Sequence, residues 1–147
     1  MMISRLDSIS RELAGELRNA TSVVRRKAAA IACEIAASRT SLEGDAVTAA
    51  LESLRSGKQV DDVLRQQLKG IAARFDDQYF RLKERGGEEA KAEVLQLFSK
   101  ARAASALACA FSENAGNLEE AIYEAIAAMD DPADVIQPVS AALQSEN

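Results

Sequence analysis

The sequence predicts an all-α protein, a compact single-domain bundle of about six to seven helices. Three observations carry that expectation. The chain is rich in Ala, with aromatic residues at 4%, two Pro and no Trp, a composition that favours closely packed helices. Apolar residues recur at i, i+3 and i+4 through most of the chain, and no segment alternates with the period of a strand. At 147 residues the length suits one domain spanning 1–147 with a real core, and an apolar content of 48% excludes disorder as the main state.

The first helix is expected over 4–20, where Leu6, Ile9, Leu13 and Leu17 hold one face. Gly15 inside it costs up to about 1 kcal/mol relative to Ala. Asn19, Thr21 and Ser22 break the pattern, and either Thr21 or Ser22 can cap a second helix over 23–38 with Val24, Ala28, Ile31, Ala32 and Ile35 inward. Arg25-Arg26-Lys27 in its first turn has the wrong sign for the helix dipole, which calls for nearby acids. Ser41 is read as the cap of a third helix over 41–54, and Gly57 as the glycine that ends it.

The fourth helix is the cleanest amphipathic segment. Val60, Val63, Leu64, Leu68, Ile71, Phe75, Tyr79 and Leu82 form its stripe; Asp61 and Asp62 suit its start, and Lys83 and Arg85 its end. Gly86-Gly87 stops it and turns the chain into a helix over 88–112, giving a long antiparallel hairpin. That fifth helix is amphipathic at first and then apolar all round over 103–111, except at Ser105, so its second half must be enclosed. Asn117 is read as the cap of a sixth helix with Leu118, Ala121, Ile122, Ala125, Ile126 and Met129 inward. Asp131-Pro132 opens a further segment, which Pro138 should divide into two short turns of helix.

A shift of 76 residues lays 26–35 over 102–111, with Cys33 over Cys109 and Leu42-Glu43 over Leu118-Glu119. An internal duplication over about 21–58 and 97–134 would make two pseudo-symmetric helical units with both cysteines in equivalent core positions. Ala-richness alone also generates such matches.

The chemistry available is narrow. No histidine is present, which removes Ser-His-Asp and Cys-His nucleophiles and histidine zinc sites. Cys33 and Cys109 read as small packed apolar residues. Asp130-Asp131-Pro132-Ala133-Asp134 resembles the Asp-Asp-x-x-Asp pattern with which helical prenyl-transfer enzymes hold magnesium diphosphate. Pro132, however, marks a helix start instead of the helix wall those enzymes use. A divalent-metal carboxylate enzyme is therefore the least supported alternative, and no cofactor is expected. Nucleic-acid binding is disfavoured because Asp61, Asp62, Asp76, Asp77 and Glu84 interleave with Arg65, Lys69, Arg74, Arg81 and Arg85. Apolar runs are too short for a membrane span. The first residues lack the apolar run of a secretory leader, so a cytoplasmic location is expected.

Charge is unevenly spread. All 18 Lys and Arg fall in residues 1–102, whereas 103–147 hold eight acids and no base. Such a segment can steer a basic partner. The sequence thus points to a non-enzymatic helical protein–protein interaction module, in its most specific version an acidic inhibitor or immunity-type protein. Its candidate contact residues are Glu119, Glu120, Tyr123, Glu124, Asp130 and Asp131. Alternatively these acids meet bases of the same fold, Arg25-Arg26-Lys27 above all. A structural or regulatory homo-oligomer, pairing through the fourth-helix stripe or Ala-rich surfaces, is the other class.

Overall fold

The computed structural model describes residues 4–57, 62–111 and 115–145. Among them the chain forms eight α-helices and no strand: α1 (Arg5–Ile9), α2 (Arg11–Asn19), α3 (Ser22–Thr40), α4 (Asp45–Ser56), α5 (Asp62–Arg85), α6 (Lys91–Ala110, entered through a 3-10 turn at Glu88–Ala90), α7 (Ala115–Ala127) and α8 (Ala133–Ser145). Helices α3, α6 and α7 pack on one another at the centre; α8 closes over α3, α2 lies against α8, α1 against α7, and α4 bridges α3 to the α5–α6 hairpin. Small side chains make the centre dense. Ala28, Ala32 and Ala36 of α3 and Ala103, Ala104 and Ala106 of α6 are fully enclosed, so these backbones can approach closely. Leu13, Leu17, Leu68, Leu107, Ile122 and Leu143 supply the bulk, each contributing on the order of 1.5–3 kcal/mol by burial.

The enclosure of the second half of α6, the α5–α6 hairpin, the Thr21 cap and the Gly57 stop follow the sequence reading. The Thr21 hydroxyl accepts from Val24 N–H at 3.2 Å, and Gly57 sits at φ 68°. Val60 and Asp61 lie outside the described residues.

Five expectations are corrected. The predicted helix 4–20 is two helices, broken at Ser10 (φ −154°, ψ 102°), whose hydroxyl accepts from Leu13 N–H at 3.1 Å. A serine hydroxyl offers the backbone this alternative to helix continuation, and Ser4 with Asp7 forms a capping box one helix earlier. Ser41 does not open α4; it ends α3 in the left-handed region at φ 56°, while Gly44 stands at the start of α4. Asn117 lies inside the first turn of α7, which begins at Ala115. Val63, placed on the buried stripe, is 68% exposed. Pro138 does not divide its segment: α8 runs through it, because Val135, Val139 and Leu143 on one face are fully buried and hold the helix together. The Asp131 part of that reading stands, since its carboxylate accepts from Ala133 N–H at 3.0 Å.

The 76-residue shift lays α4 over 121–132, yet α7 ends at Ala127, so the echo does not carry helix boundaries with it. Cys33 is fully buried and Cys109 half-buried, both as free thiols. Burial pushes both thiols above the ordinary cysteine range, which keeps them protonated and unreactive.

Candidate interaction surfaces

The acidic face of α7 is held from within the chain. The Ser10 break folds α1 and α2 so that Arg5 and Arg18 both reach α7. Arg18 donates to Glu119 at 2.8 Å and to Asp7 at 2.6 Å. Arg5 donates to Glu120 at 2.5 Å and to Glu124 at 3.0 Å, and its guanidinium lies 4.2 Å from the centre of the Tyr123 ring. Arg102 on α6 donates to Glu124 at 3.0 Å from one terminal nitrogen and to Asp76 on α5 at 3.0 and 3.1 Å from the other. Glu119 and Glu124 are only 9% and 5% exposed. The carboxylates raise the Arg5 and Arg18 guanidiniums further above their usual range. Hydrogen bonds from Arg18, then from Ser4, hold the Asp7 carboxyl down at about 2.

Of the six candidate residues, Glu119, Glu120, Tyr123 and Glu124 therefore converge in one arginine-bound cluster. Asp130 and Asp131 stand apart, exposed at the turn between α7 and α8. Among the described residues, the bases that meet the acids of α7 are Arg5, Arg18 and Arg102. Glu113 and Glu146 lie outside the described residues.

A second surface was singled out by the sequence reading only in part, as the apolar stripe of the fourth helix. On α5 the last buried residue is Ala72; on α6 the first is Ala101. Residues 73–100 therefore form a two-helix arm with no fully buried side chain, each half about 20 Å long at 1.5 Å per residue. At its base Phe75 packs on the core, and Ala92, Leu95 and Ser99 border a hollow shared with Arg39, Thr40 and the α7–α8 turn. Its seam is aromatic: the Tyr79 ring lies 5.6 Å from Phe98 and 5.0 Å from Phe80. Phe80 is 59% and Leu95 55% exposed. Between the helices an open hollow of about 400 Å³ is walled by Tyr79, Val94, Leu95 and Phe98, with Lys83, Glu88 and Lys91 at its rim. The arm carries Arg74, Arg81, Lys83, Arg85, Lys91 and Lys100 against Asp76, Asp77, Glu84, Glu88, Glu89 and Glu93, so its net charge is zero. Gly86 makes the reversal: a Cβ there would lie 2.3 Å from the Ala90 Cβ and 2.8 Å from the Leu82 carbonyl oxygen.

The signal for the arm was length. At 24 residues α5 is about 36 Å long, whereas the 13 residues of α7 reach about 20 Å. A hairpin that outruns its neighbours leaves its far end uncovered, whatever the quality of its apolar stripe.

Two other hollows have charged and polar side chains in their walls. One, of about 400 Å³, lies between α5, α6 and α7 and is walled by Arg65, Lys69, Ser105, Cys109 and Asn117 among others. The other, of about 480 Å³, separates α6 from the end of α3 and the α7–α8 turn, where Arg39 faces Asp134 at 3.8 Å. Among the described residues no three Cys, Asp or Glu side chains come together as a metal-holding group, and no helix is long and apolar enough to cross a membrane. Compared with protein-family models, with curated proteins and with solved structures, the chain matches none.

Proposed function

We propose that this chain is a non-enzymatic helical interaction module whose contact element is the α5–α6 arm. The observation that carries the reading is the pair Phe80 and Leu95, each more than half exposed on a segment with no buried residue of its own. Aromatic and large aliphatic side chains beside a hollow are the usual anchors of protein contacts, and adjoining exposed apolar groups mark interaction sites. The acids of α7 supply less: Glu119, Glu120 and Glu124 already receive arginine hydrogen bonds. Capture of a basic partner is a second reading, now narrowed to Asp130 and Asp131, which remain exposed.

The test is a photo-reactive phenylalanine analogue placed in living source cells at position 95, at position 120, or at position 130. Position 95 is expected to give a cross-linked adduct, to a second copy or to another protein, and position 120 none. No adduct from position 95 would overturn the reading. An adduct from position 130 alone would favour the basic-partner version.

A further inference from the structure

The arm differs electrostatically from the body that bears it. Its charges cancel, so the whole formal charge of −5 resides on the rest of the chain. Two copies meeting body to body would bring like charges together. Two copies meeting arm to arm would instead set two segments of zero net charge against each other. The rim of the hollow carries both signs, Lys83 and Lys91 beside Glu88, so an isologous contact can set base against acid on each side of its two-fold axis.

We propose that the occupant of this face is a second copy of the chain. The two arms pack antiparallel into an intermolecular four-helix arrangement, with Phe80 and Leu95 of each copy against the other's hollow. This rests on the arm being the contact element. Two helices about 10 Å apart and about 20 Å long present a face on the order of 400 Å², about half of what each partner gives to a standard stable interface. The dimer is therefore at the weak, concentration-dependent end of specific interfaces.

Sedimentation equilibrium of the full chain from 5 µM to 1 mM tests this. Monomers are expected at the low end and dimers at the high end, with less than about a twofold change in dissociation constant between 50 and 500 mM salt. Replacing both Phe80→Glu and Leu95→Glu is expected to leave a monomer at 1 mM with unchanged helical circular dichroism; Phe80→Ser with Leu95→Ser serves if the charged pair disturbs the fold. A wild type that stays monomeric at 1 mM, or a dimer that both double variants leave intact, overturns the proposal. A monomer that still cross-links from position 95 to another protein would remove the second copy and leave the arm as a contact element.

Discussion

Arg102 divides its guanidinium between Glu124 and Asp76 and so ties α6 to both α7 and α5 through one side chain. Glu124 is nearly enclosed, and a carboxylate in such a place needs partners to offset lost hydration. Here Arg5 supplies the second. Because Arg102 retains Asp76 and Arg5 retains Glu120, Glu124→Gln is expected to cost about 1–2 kcal/mol in urea unfolding, less than the 3–5 kcal/mol of a fully orphaned buried ion. A double-mutant cycle with Arg102→Met should show coupling above about 0.5 kcal/mol. The same cycle on Arg81 and Asp77, both more than half exposed, should fall below that. Asp7 carries the residue-scale pH prediction. Its folded value of about 2 lies below the ordinary 3.8, so its contribution is present above pH 3.8 and is lost as pH falls through about 2. The Asp7 carboxyl carbon should titrate near 2 by NMR and move up toward 3.8 in Arg18→Gln; a wild-type midpoint at 3.8 would refute the Arg18 contact.

At the scale of elements, the sequence was legible wherever one interaction dominated a boundary. The second half of α6 could only be enclosed, because residues 103–111 leave almost no polar side to turn outward, and Gly57 could only be a stop. Legibility failed where two local signals competed. Ser10 sits inside an unbroken apolar period yet ends α1, since its hydroxyl satisfies the next helix's backbone. Ser41 has the composition of a cap but the geometry of a glycine. Pro138 reads as a breaker, but the burial of Val135, Val139 and Leu143 outweighs it. The acidic cluster was half legible: the acids were visible on one helix, but two of their three arginine partners, Arg5 and Arg18, lie more than a hundred positions away. Two predictions follow from these conflicts. Ser41→Gly relieves a left-handed serine, so it should stabilise the fold by about 0.5–1 kcal/mol in thermal unfolding. Pro138→Ala restores a backbone donor within α8 and should stabilise by about 1–2 kcal/mol, the roughly 3 kcal/mol cost of an interior proline reduced by a freer unfolded chain.

At the scale of the whole molecule, the division between body and arm is a division of stability. Amides of α3, of the first half of α5 and of the second half of α6 are enclosed by residues such as Cys33, Leu68 and Leu107, all fully buried, and can exchange only when the core opens. The arm has hydrogen-bonded helices but no buried side chain between Ala73 and Lys100, so it can fray from Gly86 inward without disturbing α3, α7 or α8. Regions of that kind open at a free energy well below the global one. Hydrogen exchange of a dilute sample should therefore show amides of 76–96 exchanging on the order of 100-fold faster than those of 103–110. Gly86→Ala, which drives a Cβ into Ala90 and the Leu82 carbonyl, should quicken exchange in the arm alone and leave the unfolding midpoint of the body in place. Concentration then links stability to association: pairing of the arms protects only what it covers. Raising the protein from micromolar to millimolar should slow exchange over 76–96 and leave 103–110 unchanged. Equal slowing in both regions would mean that the contact lies on the body, and no slowing in either that the arm has no second copy against it.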